Sequence, residues 1–279
     1  MSAPLRVWFI TGCSSGFGRC LAEQALGRGE RVVATARDIS SLHDLQTAFG
    51  ERVCTVALDV TRPELLRPAI ERARSAFGRI DVVVNNAGYG LLGAVEESSA
   101  EEVEGVYRTN VFGLLNVVRA VLPSMRARHS GHIMNISSVG GYAGYQGWGI
   151  YGSTKFAVEG ITEAMYAELK PLGIHATVVE PGFFRTNFLD PSSLIETKAR
   201  IGDYAETVGQ MREFAGGHNG QQPGDPAKLA QALLRLANTE EPPLRLPLGS
   251  DTVARIEAKN AFVAEQTERW KDLSLSTDF

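Results

Sequence analysis

Apolar residues in this chain gather into short unbroken runs, separated by longer stretches in which apolar and polar positions mix at helical spacing. Val7-Trp8-Phe9-Ile10, Arg31-Val32-Val33-Ala34-Thr35, Asp81-Val82-Val83-Val84-Asn85 and Ala176-Thr177-Val178-Val179 are strand-sized, rich in β-branched residues and apolar on both faces. Runs of this kind belong to parallel strands covered on both sides, because a strand with one wet face would alternate. They predict strands over 6–11, 31–36, 53–58, 81–85, 132–136 and 175–180. The stretches between them predict helices over 17–27, 40–49, 63–77, 100–128 and 152–170, with Thr61 before Pro63 and Gly78 after Phe77 as end signals. Strand-helix alternation at this spacing implies right-handed crossovers. The expected fold is therefore α/β: a single-domain, Rossmann-type doubly wound parallel β-sheet flanked by helices on both faces.

The alternation stops between about 183 and 226, where Gly202, Gly209 and the run AGGHNGQQPGDP stand among scattered aromatics. An irregular stretch of that length is a lid, a binding loop or disorder. Regular structure resumes with a helix over 227–238, a short strand over 244–248 and the amphipathic SDTVARIEAKNAFVAEQTERW, which would pack on its own domain or on a neighbour. No break in composition and no internal repeat divides the chain. The expected organisation is one domain over 1–279, with a core at about 5–182, a loop or lid at about 183–226 and a helix-strand-helix tail at about 227–279.

Composition narrows the function classes. The net charge of −4, without a block of like charges, argues against nucleic acid as a partner. The apolar runs fall far short of the roughly 20 residues that span a bilayer, so no membrane partner is expected. Cys13, Cys20 and Cys54 are odd in number and match no zinc spacing, and no secretion signal is read, so reduced thiols and a cytoplasmic location are expected. The five histidines show no paired ligand spacing, and no metal is expected.

The first strand leads into Thr11-Gly12-Cys13-Ser14-Ser15-Gly16-Phe17-Gly18. Its glycines follow G-x-x-x-G-x-G rather than the G-x-G-x-x-G of the usual dinucleotide fingerprint. Glycine tolerates positive φ and close backbone approach, so N–H groups and a helix N-terminus can face a pyrophosphate, with Thr11, Ser14 and Ser15 adding hydroxyls. By itself such a loop is as readily a turn without a ligand. At the end of the second strand, Ala36-Arg37 suits a 2′-phosphate, although Arg37 could equally be a solvated strand-end charge. Asp38 is either a cap or the acid for a ribose hydroxyl.

Further motifs follow in order: Asp59-Val60 after the third strand, Asn85-Asn86-Ala87-Gly88 after the fourth, Asn110, Ser138, Tyr151-x-x-x-Lys155 and Pro181-Gly182. With Thr11–Gly18 they resemble the classical short-chain dehydrogenase/reductase family over about 7–186, and Ala36-Arg37 resembles its NADP-preferring hydroxysteroid- and retinol-type branch. The resemblance implies a catalytic set of Asn110, Ser138, Tyr151 and Lys155. It implies a cofactor site of Gly12, Ser14, Ser15, Gly16, Phe17, Gly18, Arg37, Asp59, Val60, Asn86, Ala87, Gly88, Tyr151, Lys155, Pro181, Gly182 and Thr186. NADP(H) is the preferred cofactor and NAD(H) the alternative. A homodimer or homotetramer built on the helices from Ala100 and Gly152 is also implied.

Tyr151 and Lys155 lie four positions apart and share a helix face. An ammonium about 4 Å from a phenolate gains roughly 4 kcal/mol at an effective dielectric near 20, which would lower the tyrosine pKa by up to about three units. Tyr151 would then exchange the proton of the reacting oxygen and Ser138 would hold that oxygen. Asn110 resembles a residue holding a water between Lys155 and solvent. Read without the family, the Tyr-Lys pair is an ordinary amphipathic pair, Ser138 a turn or cap and Asn110 an interior amide, and Asn86 serves backbone geometry.

Tyr142, Tyr145, Trp148, Phe183, Phe184, Phe188 and Leu189, with Met211 and Phe214 from the lid, would line an apolar pocket; they could also pack in the core or at a subunit interface. The expected function is an NADP(H)-dependent oxidoreductase interconverting a ketone or aldehyde and an alcohol on a hydrophobic, cyclic or aryl substrate. The competing classes are a non-catalytic dinucleotide-binding regulator, which would need a broken catalytic set, and an epimerase or dehydratase of the extended branch, which carries a different glycine spacing.

Overall fold

A computed structural model describes residues 5–279. Seven strands form one parallel sheet: β1 (Val7–Ile10), β2 (Arg31–Ala36), β3 (Val53–Ala57), β4 (Val82–Asn85), β6 (Gly131–Ile136), β7 (Ile174–Pro181) and β9 (Arg245–Leu248), in the order β3-β2-β1-β4-β6-β7-β9. Every pairing is parallel. The strand runs are apolar on both faces because two cores need them. Trp8 and Ile10 join the core beneath α1 (Gly16–Gly27) and α8 (Pro226–Ala237). Phe9, on the opposite face as strand geometry demands, joins the core beneath α3 (Pro63–Phe77), α5 (Leu114–Arg128) and α6 (Gly149–Leu169). The strand order reverses between β1 and β4, and a crevice at the carboxyl ends of the strands opens at such a switch point.

Four expectations change in detail. The helix expected over 100–128 comes in three pieces: α4 (Ala100–Tyr107), a wider π-wound segment over 108–113, and α5. A capping box between Ser99 and Glu102 opens α4, and the π segment carries Asn110. Such a bulge inside a helical pattern leaves the hydrophobic periodicity nearly intact, which hides it from the sequence, and bulges of this kind often mark functional positions. The stretch over 40–49 begins with a tight turn at Ile39–Leu42 before α2 (His43–Phe49), capped by Asp38, whose carboxylate accepts from the Ser40 N–H at 2.9 Å. Thr61 does not cap α3: its hydroxyl turns back to Asp59 Oδ1 at 2.7 Å, and Arg62 takes the cap position.

The fourth difference is the stretch after Pro181, which is built rather than irregular. Two three-residue strands, β5 (Gly90–Leu92) and β8 (Leu194–Glu196), pair in a second small parallel sheet, and α7 (Gln210–Gly217) follows. The buried carboxylate of Glu97 ties them together, accepting from the N–H groups of Ala94 and Ile201 at 2.8 Å each and from Arg212 on α7. Strands this short show no readable period. After β9, α9 (Ser250–Arg269) packs through its first turns, where Thr252 is buried, and is otherwise exposed. Among the described residues, no helix is long and apolar enough to cross a membrane.

Candidate active site

A cleft of about 800 Å³ opens above the carboxyl ends of β1, β2, β4, β6 and β7. Its floor is the glycine loop. Gly12 and Gly16 hold φ of 71° and 60°, in the left-handed region that favours glycine. Gly18 does not line the cleft; it faces inward, where a Cβ would sit 2.5 Å from Asn86 Nδ2 and closer still to the Gly12 carbonyl oxygen. The Asn85–Gly88 turn locks the loop from the other side. Thr11 Oγ1 accepts from the N–H groups of Asn86 and Ala87 at 2.9 Å each, while Asn86 Nδ2 donates to the Thr11 and Gly12 carbonyl oxygens at 2.8 and 3.0 Å. Asn86 therefore serves backbone geometry.

The cradle suits a dinucleotide phosphate. Ser15 precedes α1 with its hydroxyl free of any cap bond, and Ser14, Ser15, Gly16 and Phe17 face the cleft. Arg37, Asp59, Val60, Asn86, Ala87, Gly88, Pro181, Gly182 and Thr186 line it as well. Arg37 is exposed at the end of β2, whereas Asp38 is committed as a cap and lies off the lining. Of the two residues that could meet a ribose, only the cation faces the cleft.

α6 brings Tyr151 and Lys155 to the inner wall, both buried, and the connection after β6 brings Ser138. The Ser138 hydroxyl lies beside Tyr151 on this wall, and its Oγ accepts the Gly140 N–H at 3.1 Å. Lys155 Nζ donates to the Ile136 carbonyl oxygen at 2.9 Å and lies 5.7 Å from the centre of the Tyr151 ring. Burial decides both titrations. It pushes the Tyr151 hydroxyl up, with Ser138 opposing, and it pushes Lys155 down to about 8, with Glu159 opposing. Burial, and not Lys155, whose Nζ turns to the Ile136 carbonyl oxygen, sets the direction at Tyr151 in the protein by itself.

The Asn110 side chain is engaged by its neighbours. Its side chain accepts from the Tyr89 N–H at 3.1 Å and donates to the Tyr89 carbonyl oxygen at 3.0 Å and to Thr154 Oγ1 at 3.1 Å. Both amide hydrogens are spent on protein, and Asn110 is buried off the cleft lining. Its side chain clamps the π segment to the β4 turn and to α6.

Trp148 and Phe188 enclose Tyr151, with ring centres 5.6 and 5.5 Å from its own. Tyr145, Phe183, Phe184, Leu189 and Met211 complete the apolar wall. Tyr142 and Phe214 are not in it. The Tyr142 hydroxyl points to Asn260 at 2.6 Å, and Phe214 stacks on His218. Asp251 and Gln222 are among the residues that escaped the sequence. Asp251, on the first turn of α9, accepts the Phe183 N–H at 2.8 Å and blocks any Cβ at Gly182. Gln222 lines the cleft while buried, and neither of its amide atoms has a partner among the described residues. No local pattern marks either, since each acts from a segment remote in the chain.

Comparison with known proteins agrees with this geometry. The short chain dehydrogenase family pattern matches residues 6–195. Oxidoreductase BOA17 of Botryotinia fuckeliana is 39% identical over 273 residues, covering 98% of this chain and 99% of its own. A 3-ketodihydrosphingosine reductase of Bacteroides thetaiotaomicron is 37% identical over 250 residues, 88% of each. The crystal structure of a short-chain dehydrogenase from Streptomyces avermitilis superposes with a TM-score of 0.92 at 40% identity, covering 99% of this chain and 100% of that one. More distant structures include ElxO with NADP bound (TM-score 0.74, 26% identity, 90% and 100% covered). A short-chain dehydrogenase/reductase from Burkholderia phymatum is in complex with NAD (TM-score 0.82, 25% identity, 94% and 95% covered).

Proposed function

The chain belongs to the short-chain dehydrogenase/reductase family and is an NAD(P)-dependent oxidoreductase, and from that premise we propose that it interconverts a hydrophobic ketone or aldehyde and its alcohol, with NADP(H) preferred and Tyr151 as the general acid and base. The observation that carries this reading is the meeting of Tyr151, Ser138 and Lys155 at one wall of a cleft whose other end holds the glycine cradle. The aromatic wall of Trp148, Phe188 and Tyr145 supports an apolar substrate, and the relative named a 3-ketodihydrosphingosine reductase supports reduction of a ketone. Arg37 facing the cleft, with Asp38 turned into a cap, supports NADP over NAD.

Bound in this cleft, the nicotinamide dinucleotide supplies or accepts the hydride. Tyr151 remains protonated through neutral pH, so it meets a carbonyl oxygen as a ready acid. In reduction the hydroxyl gives its proton to that oxygen as charge develops there. In oxidation the phenolate takes the alcohol proton. The Ser138 hydroxyl holds the same oxygen beside Tyr151 as a preorganised donor. Lys155, charged below about pH 8, stabilises the phenolate left behind and offers its remaining N–H groups to the cofactor's sugar hydroxyls. Asn110 keeps the wall in place by fixing α6 against the β4 turn.

The test is a panel of aliphatic, cyclic and aryl ketones and aldehydes, followed by loss of NADPH absorbance. Turnover concentrated on the larger apolar members supports the reading. Equal indifference to every carbonyl, with NADPH bound, would remove it.

A further inference from the structure

Tyr151, Lys155, Glu159 and Glu163 follow one another at intervals of four along α6 and form one stripe of the helix. The first two face the cleft, and Glu159 has no part in the chemistry described so far. It is 4% exposed, and Glu180, on β7 directly before Pro181-Gly182, is 0% exposed. Both carboxylates accept from Nη1 of Arg245 on β9, while Nη2 of that arginine bonds the half-exposed Glu163.

Charge makes this cluster unusual. Three carboxylates around one guanidinium leave an excess of negative charge, and two of them are out of water. Glu159 Oε1 and Glu180 Oε2 have no hydrogen-bond partner among the described residues. Two buried carboxylates sharing one cation do not both ionise cheaply. The next cation along α6 is Lys155, one helical turn from Glu159, with its Nζ on the Ile136 carbonyl oxygen.

The groups around Glu159 come from every side. Its own helix presents Lys155 and Glu163, β7 presents Glu180, and β9 presents Arg245. Ser137, at the end of β6, is close enough that a Cβ on Gly141 would strike its hydroxyl while lying 3.0 Å from Glu159 Oε1. The Tyr142 ring lies 5.2 Å from the Arg245 guanidinium. From α9, Arg255 is spent on the Gly144 carbonyl oxygen and Asp251 on the Phe183 N–H.

Resting on the proposed Tyr151 chemistry, we propose that Glu159 is a positioning residue that keeps Lys155 protonated, and that Glu180 and Arg245 set how readily Glu159 ionises. The titrations agree with the geometry. Burial drives Lys155 down to about 8 against the pull of Glu159. Burial drives the Glu159 carboxyl up, with Ser137 opposing, Glu180 adding and Arg245 opposing.

The test reads Lys155 directly. Protein labelled with ¹⁵N at lysine Nζ is titrated by NMR, and the Lys155 signal is assigned by its loss in Lys155→Met. Glu159→Gln is expected to lower the Lys155 midpoint by about one to two units, and the alkaline limb of the kcat profile for carbonyl reduction should move down with it. Glu159→Asp should restore much of both. Glu180→Gln breaks the same Arg245 contact but removes a repulsion on Glu159, so it should leave the Lys155 midpoint in place or raise it. A midpoint unmoved in Glu159→Gln overturns the proposal, as does an equal, pH-independent loss of kcat in Glu159→Gln and Glu180→Gln. Because the NMR titration needs no turnover, absence of activity on every carbonyl would sink the proposed function while the midpoint still decides the role of Glu159.

Discussion

Lys155→Met should make the protein more stable at neutral pH while abolishing turnover. Lys155 is buried, and burial, opposed by Glu159, takes its pKa from the ordinary 10.5 to about 8. At 1.36 kcal/mol per unit, that shift corresponds to about 3 kcal/mol held against the folded state. The sign follows from proton counts. Below about pH 8 the amine is charged in both states, and the folded chain bears the full desolvation cost. Between about 8 and 10.5 the unfolded chain binds a proton that the folded chain has released, so wild-type stability rises with pH. Methionine matches the length of the lysine stem without titrating, but it gives up the bond to the Ile136 carbonyl oxygen, worth about 1 kcal/mol. A net gain of about 2 kcal/mol at pH 7 should raise Tm by about 3–4 °C in a chain of 279 residues. Scanning calorimetry of both proteins from pH 6 to 10 measures it, and the gap should close toward the alkaline end. A variant less stable than wild type at pH 7, or a gap constant across that range, would refute the assignment of the cost to the buried charge.

Tyr151→Phe should lower kcat by about 10²–10⁴-fold while NADPH affinity, read by fluorescence titration, stays within about twofold; near-normal turnover would exclude Tyr151 as the acid. Arg37→Asp should move the kcat/KM ratio from NADP toward NAD, and an unchanged ratio would take Arg37 out of the 2′-phosphate site. Gln222→Leu removes two buried amide atoms that lack partners, each costing about 1–3 kcal/mol when unsatisfied. Its Tm should therefore rise while KM within the ketone panel changes, and a fall in Tm would show that the amide is bonded in solution.

Much of the architecture was legible in the sequence because the sheet is buried on both faces. Runs such as Val82-Val83-Val84 have few other uses, and the helices between them end at glycines such as Gly78, whose φ of 82° few side chains tolerate. The glycine loop, the Asn85–Gly88 turn and the Tyr-Lys pair were legible for a different reason: each is local, so its spacing survives in the linear order of residues. Asp38 was left open because cap and ribose acid ask for the same residue, and only the Ser40 contacts separate them. The break at Asn110 was hidden because a π bulge barely disturbs the apolar period of its helix.

The chain order alone therefore determined the layers of the fold, the place of the glycine loop and the pairing of Tyr151 with Lys155 on one helix. Tertiary structure alone decided how those two groups titrate. Protonation depends on water excluded and on charges brought near; Glu159 acts on Lys155, and Glu159 in turn meets Glu180 from β7 and Arg245 from β9. The sequence spacing promised an acidic tyrosine made so by its lysine. Burial raised the tyrosine and lowered the lysine instead, because desolvation is set by the whole surrounding shell rather than by neighbours along a helix.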